Sequence, residues 1–176
     1  MKKPRTARVI RGRAKQLLTD YEITRPPVPV AALADALGIR VRYSPFDGEL
    51  AGMLARGDDE TIIGVNSLHH PNRQRFTIAH ELGHFCLLHK GEVHIDRTFR
   101  INRRDAASSQ AVKPDEIEAN RFAAELLMPY DMIVDDLLER DIDVENEEQI
   151  KELAEIYKVS AQAMTHRLTN ILQLYG

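Results

Sequence analysis

The sequence has few of the residues that build disulfide-linked, membrane-spanning or aromatic-rich proteins. Among its 176 residues there are one cysteine, no tryptophan and only 6% aromatic side chains. A single cysteine cannot form an internal disulfide, and no apolar run approaches the roughly 20 residues that a membrane-spanning helix needs. The sequence also shows no apolar core of a signal peptide. We therefore expect a cytoplasmic protein that does not enter a membrane.

An excess of charge of one sign is also missing, since 24 basic and 27 acidic side chains leave a net charge of −3. This balance gives the chain as a whole no attraction to nucleic acid or to anionic lipid. The first fifteen residues hold seven basic side chains and no acid, but no aromatic side chain is interleaved with them. We interpret this segment as part of an amphipathic helix with a solvated basic face. The 43% apolar content is sufficient for a globular core.

The most informative stretch is RQRFTIAHELGHFCLLH at residues 73–89, where apolar side chains recur at spacings of three and four and predict a buried helix. His80 and His84 are four positions apart, so both imidazoles can reach one metal ion from one face of that helix. Glu81 flanks this face, from which its carboxylate can accept a proton from water. We therefore predict a zinc ion bound by the two histidines with Glu81 as general base, in preference to two core histidines bonded to backbone carbonyls.

A catalytic zinc ion needs a third protein ligand and an open position. The next predicted helix, at 114–129, offers four acidic side chains: Asp115, Glu116, Glu118 and Glu125. Small side chains at Ala119 and Ala123 form a stripe next to Glu118 that would let this helix approach Gly83 closely. We therefore predict Glu118 as the third ligand, and we interpret Asp115 and Glu116 as first-turn charges that complement the helix dipole.

Two motifs in order, FTIAHELGHFCLLH at 76–89 and EIEANRFAAELLMP at 116–129, resemble the ImmA/IrrE family of zinc metallopeptidases. The resemblance covers roughly residues 28–130 and implies the same roles: His80, His84 and Glu118 bind zinc and Glu81 is the general base. Members of that family cut regulator proteins, typically helix-turn-helix repressors, which implies a protein substrate of this class. A further side chain that donates a hydrogen bond to the transition state is expected. His89, His94 and Tyr130 are candidates, and the sequence does not rank them.

Three strand-like runs, at 39–43, 50–56 and 61–65, precede the histidine helix, and residues 92–96 are a candidate fourth strand. Their short connections predict an antiparallel meander. We expect an α+β fold in which a small antiparallel sheet packs with the HExxH-bearing helix and a second ligand-bearing helix. Residues 97–113 show no helical period and are interpreted as a long loop whose role stays open.

The C-terminal third, residues 131–176, is predicted to be a helical module that follows a metallopeptidase domain at residues 1–130. Its residues 153–168 have the pattern of a helix-turn-helix, in which Val159 turns inward and Ser160 caps the second helix. DNA binding through 147–172 is disfavoured because residues 141–160 carry seven acids against two lysines, a net charge of −5. We prefer a packing or protein-docking module, and the alternative function is a DNA-binding regulator with a structural or sensory zinc site.

Overall fold

Seven helices and four strands form the part of the chain that the computed structural model describes, which is residues 5–47, 50–89, 93–96 (backbone only) and 113–173. In chain order the elements are α1 (Ala7–Asp20), α2 (Val30–Ala36), β1 (Ile39–Ser44), β2 (Gly52–Arg56), β3 (Thr61–Asn66), α3 (Pro71–Cys86), β4 (Val93–Asp96), α4 (Pro114–Leu127), α5 (Tyr130–Glu139), α6 (Glu147–Tyr157) and α7 (Ala161–Leu172). The α+β class is confirmed. None of the described helices is long and apolar enough to cross a membrane. The predicted loop at 97–113 lies outside the described residues except for Lys113.

The four strands form one mixed sheet in the order β1-β3-β2-β4. β2 is antiparallel to both β3 and β4, whereas β1 is parallel to β3. The predicted antiparallel meander is therefore wrong for β1. The cause is visible at the end of β3, where the buried Asn66 side chain donates to the carbonyl oxygens of Phe46 (3.3 Å) and Leu50 (2.9 Å). The connection from β1 thus crosses the end of β3, and β2 pairs on its far side instead of returning along β1.

Helix α3 lies between the sheet and α4. It begins at Pro71, a residue suited to a first helical turn, and His70 Nδ1 accepts a hydrogen bond from the backbone N–H of Asn72 (3.2 Å). All eight residues from 77 to 84 are buried, which an amphipathic surface helix would not show. At Gly83 an added Cβ would lie 3.0 Å from Cα of Ala119 in α4, so the predicted close approach of the two helices is confirmed.

Helix α1 covers α4 with the apolar stripe that the sequence predicted, since Ile10, Ala14, Leu17 and Leu18 are buried. Part of its basic face is used in ion pairs, because Lys15 Nζ lies 2.6 Å from Asp131 in α5. The basic side chains of α1 therefore also contribute contacts to neighbouring helices.

The turn between α6 and α7 has the geometry expected from its sequence. Lys158 adopts a left-handed backbone conformation (φ 53°), Val159 is 7% exposed, and Ser160 Oγ accepts from the N–H of Ala163 (3.1 Å). The turn also contacts α3, because the Asn72 side chain donates to the carbonyl oxygen of Val159 (3.0 Å). This contact accords with a packing role for the two helices.

A buried ion pair connects α7 to α4. Arg167 donates from Nη1 and Nη2 to the two carboxylate oxygens of Glu125, at 3.0 and 2.6 Å, and from Nε to the carbonyl oxygen of Met128 (3.0 Å). One apolar core also runs from Ile10 in α1 to Ile171 in α7. The two parts of the chain therefore share a core, and a domain boundary at residue 130 stays a prediction.

Candidate metal centre

Three ligand-type side chains converge where α3 meets the first turn of α4. His80 Nε2 and His84 Nε2 are 3.0 Å apart, and the Glu116 carboxylate lies 3.3 Å from the first and 3.6 Å from the second. A tetrahedral zinc ion with bonds of about 2.0–2.1 Å separates its ligand atoms by roughly 3.3 Å. The two imidazole nitrogens and the Glu116 carboxylate, whose Oε2 faces His80 and whose Oε1 faces His84, thus have spacings close to those that this ion requires.

A hydrogen bond outside the cluster orients the His80 ring so that Nε2, its metal-binding atom, points into the cluster. Its Nδ1 lies 2.7 Å from Oδ1 of Asn120, an oxygen that can only accept. Nδ1 therefore carries the ring proton, and Nε2 presents a lone pair to His84 and Glu116. Two imidazole nitrogens and a carboxylate directed at one point are a donor set for a zinc ion. Glu116 and Asn120 both come from α4, four residues apart on one face.

The cluster is buried except on the side of Glu116. His80 and His84 are each 1% exposed, whereas the Glu116 side chain is 31% exposed. Partial burial acts to raise the pKa of the Glu116 carboxyl, but the imidazoles of His80 and His84 beside it outweigh burial and hold that pKa well below its usual range. Glu116 is therefore a carboxylate at neutral pH, the form that binds a metal ion.

Glu81 is fully buried in α3, directly after His80 in the chain. The backbone of the same helix is supported from the sheet, because the Arg56 guanidinium in β2 donates to the carbonyl oxygen of His84 (3.1 Å). Its position one residue after His80 on this helix makes its carboxylate the candidate base for a water molecule in the cluster.

Glu118, the third ligand predicted from the sequence, is 2% exposed and belongs to a neighbouring cluster with His89 and Asp115. Its Oε1 accepts from the backbone N–H of Arg5 (2.5 Å), and its Oε2 accepts from the Arg5 guanidinium (2.5 Å) and lies 3.0 Å from His89 Nε2. Burial acts to raise the pKa of Glu118, but the hydrogen bonds from Arg5 and His89 outweigh it and lower that pKa to about 2. The geometry favours Glu116 over Glu118 as the residue next to the histidine pair.

The sequence alone could have pointed to Glu116, but the prediction of Glu118 relied on the small side chains beside it. Ala119 does contact Gly83 as predicted, but Glu116 and Glu118 lie on opposite sides of Ala119 around the helix. The spacing of Glu116 and Asn120 would have identified the face directed at His80.

Of the three candidate donors to the transition state, His89 is 2% exposed and is already engaged by His84 and Glu118. Tyr130 is partly buried, with the Arg11 guanidinium 4.7 Å from its ring centroid. The side chain of His94 lies outside the described residues. Cys86, the single cysteine, is partly buried, and burial raises the pKa of its thiol to about 11.

Comparisons with known proteins identify the family of the chain. Residues 34–169 match the model of a peptidase family described as the IrrE N-terminal-like domain. The chain is 31% identical over 138 residues to the radiation response metalloprotease IrrE of Deinococcus deserti, covering 78% of this chain and 46% of that protein. It is 30% identical over 164 residues to the protein of the same name from Deinococcus radiodurans, covering 90% of this chain and 45% of the other.

A solved structure, described as a Mycobacterium tuberculosis transcriptional regulator, shares the fold with a TM-score of 0.56 and 17% sequence identity. The match covers 92% of this chain and 47% of that one. The chain thus spans about half the length of the relatives that it matches.

Proposed function

Because the chain belongs to the metallopeptidase family with an IrrE N-terminal-like domain, we propose that it is a zinc-dependent endopeptidase that hydrolyses a peptide bond in another protein. The observation that carries this proposal is the convergence of His80, His84 and Glu116 within 3.0–3.6 Å, next to the buried Glu81. These side chains supply a metal-ligand set and a base in one place.

We propose His80, His84 and Glu116 as the zinc ligands. The assignment of Glu116 in place of Glu118 rests on its distances to the two histidines. Glu118 has both carboxylate oxygens engaged by Arg5 and His89, so binding zinc would require these hydrogen bonds to break.

A zinc ion held by His80, His84 and Glu116 would lower the pKa of a bound water to about 7 and would polarise the carbonyl group that is attacked. Glu81 accepts the proton of the attacking water and passes it to the leaving amine. The partly exposed Glu116 lies on the side from which a peptide would reach the histidines. His80 and His84 keep their Nε2 atoms directed inward throughout, since neither takes part in the proton transfer.

The substrate class that we propose is a helix-turn-helix repressor, and its support is the family resemblance of residues 76–89 and 116–129. The test co-expresses the chain with such regulators from its genomic neighbourhood. We expect one of them to be cut by the wild type and left intact by Glu81→Gln, because loss of a general base costs about 10²–10⁴ in rate. Glu60→Gln, which alters an exposed carboxylate paired with Arg40, is the matched control and should cut as the wild type does.

Metal content separates binding from catalysis. Elemental analysis should find one zinc per chain in the wild type and in Glu81→Gln, and much less in His80→Ala and Glu116→Ala. Cleavage by Glu81→Gln at the wild-type rate would remove Glu81 from the mechanism. Unchanged zinc in the other two variants would remove the proposed site.

A DNA-binding regulator is the second candidate function, and the observation in its favour is the outer face of α7. This face carries the side chains that could meet a groove, all of them polar and uncharged apart from a histidine: Gln162, Thr165, His166, Thr169, Asn170 and Gln173. Against it stands the net charge of −5 at residues 141–160. In a mobility-shift assay near physiological salt we expect no specific operator binding, and a nanomolar, sequence-dependent shift would favour the regulator.

A further inference from the structure

A series of hydrogen bonds connects the histidine pair to Arg5 in the N-terminal segment. His84 Nδ1 lies 2.9 Å from His89 Nδ1, and His89 Nε2 lies 3.0 Å from Glu118 Oε2. Arg5 closes the chain, since its backbone N–H and its guanidinium both donate to Glu118, each at 2.5 Å. The same guanidinium donates to the carbonyl oxygen of Leu87 (2.6 Å), just beyond the end of α3. Residues 113 positions apart are thus joined behind His84.

The chemistry of imidazole assigns every proton in this chain. A neutral histidine has one N–H donor and one acceptor nitrogen, and a carboxylate accepts only. Glu118 accepts two hydrogen bonds from Arg5 and therefore acts as a carboxylate, so a neutral His89 donates to it from Nε2 and keeps Nδ1 as an acceptor. His84 Nδ1 must then carry a proton and donate to His89. What remains on His84 is a lone pair on Nε2, which lies 3.0 Å from Nε2 of His80.

We propose that His89, Glu118 and Arg5 are positioning residues that hold His84 as its Nδ1–H tautomer and thereby strengthen metal binding at His80, His84 and Glu116. This inference rests on the proposed function. Asn120 performs the same task for His80 with a single bond of 2.7 Å, whereas His84 needs three residues from three segments of the chain. Outer partners of this kind typically change metal affinity 10–100-fold.

A different use of the same residues would be a second metal ion held by His89, Asp115 and Glu118. The geometry disfavours it, because the Arg5 backbone N–H and guanidinium already occupy both oxygens of the Glu118 carboxylate. A cation next to a guanidinium would be repelled. A second ion would be detected as a second equivalent of zinc that His89→Leu loses.

The first measurement is zinc affinity by competition with a chromophoric chelator. His89→Leu should bind zinc 10–100-fold more weakly than the wild type. His89→Asn keeps an acceptor oxygen near the position of Nδ1, so it should recover most of the affinity. His166→Leu, which changes an exposed histidine on α7, is the matched control and should bind as the wild type does. Affinity of His89→Leu within twofold of the wild type, or loss of a second equivalent of zinc, would overturn the proposal.

The second measurement needs neither activity nor metal. Nitrogen NMR of the ¹⁵N-histidine-labelled, metal-free protein distinguishes N–H from lone-pair nitrogens, and we expect Nδ1–H on His84 and Nε2–H on His89. Arg5→Gln should disturb this pattern at His89 while circular dichroism shows the fold retained, since Arg5 is partly exposed. A proton on His89 Nδ1 would refute the chain of bonds even if the protein is a peptidase. The expected pattern would support the chain even if no substrate is cut.

Discussion

Replacing Arg167 by methionine should destabilise the whole protein, because it leaves the Glu125 carboxylate buried without its main partner. The side chains of Arg167 and Glu125 are 7% and 4% exposed, and they share two hydrogen bonds. Breaking a buried pair by removing one partner costs about 3–5 kcal/mol. Arg11 still reaches Glu125 at 3.3 Å and can move closer, which places the expected loss near the lower limit, at about 3 kcal/mol.

Urea and thermal unfolding, followed by circular dichroism, measure this loss. For a chain of this size each kcal/mol corresponds to about 2–4 °C, so the melting temperature should fall by roughly 6–12 °C. The control Arg140→Met breaks a pair with Asp136 four residues away in which the Arg140 side chain is 53% exposed, and it should cost far less than Arg167→Met. Adding Glu125→Gln to Arg167→Met should restore part of the stability, because no buried charge is left unpaired.

Two results would refute the reasoning. A fall of less than 1 kcal/mol would mean that the buried pair contributes no more than a surface pair does. A biphasic transition, in which part of the helical signal is lost early while the rest melts as in the wild type, would mean that the segment containing α7 is an independent domain. In that case the boundary at residue 130 would be supported, and the shared core between α4 and α7 would not.

Three further outcomes are expected. Gly83→Ala should destabilise the fold by about 1–3 kcal/mol and weaken zinc binding, because its Cβ would push α4 away. The control Gly12→Ala, at an exposed helical position with nothing within 4 Å, should stabilise the fold slightly. Unfolding curves and metal competition measure these effects. Alkylation of Cys86 at pH 8 should be slower in the folded than in the unfolded protein. Burial raises the pKa of the Cys86 thiol to about 11 in the folded protein, above its unfolded value of about 8.5. The free energy of unfolding of the wild type, relative to that of Cys86→Ala, should therefore be constant below pH 8 and fall between about pH 8.5 and 11. Tyr157→Phe should cost about 1.5–3 kcal/mol in urea unfolding, because it removes a 2.6 Å hydrogen bond to the Asp136 carboxylate.

The sequence identified the helices better than the sheet, and the reason is the range of the interactions. The buried stripe of α1 and the cap at Ser160 depend on residues within one or two turns of each other. The pairing of β1 with β3 depends instead on Asn66 contacting Phe46 and Leu50, about twenty residues away. No periodicity along a strand records such a contact, so the strands were located but the direction of β1 was not.

In the site, too, local spacing is predictable from the sequence and contacts between distant segments are not. The spacing of His80 and His84 fixes their common face locally, whereas the choice between Glu116 and Glu118 depends on how α4 is rotated against α3. The contact of Ala119 with Gly83 is compatible with either residue on the basis of periodicity alone. Nor does the sequence pattern indicate that Arg5 would reach Glu118, because no local rule relates residues so far apart.

The burial of every residue from Thr77 to His84 has a consequence for local motion. Amide hydrogens in a segment without a solvent-facing side exchange with deuterium only when the whole fold opens, whereas loops exchange through small fluctuations. The two histidines therefore lie in a segment whose protection should approach that of global unfolding. We therefore expect the backbone positions of the two histidines to be retained when the ion is removed, so the metal-free protein should take up the ion again without refolding.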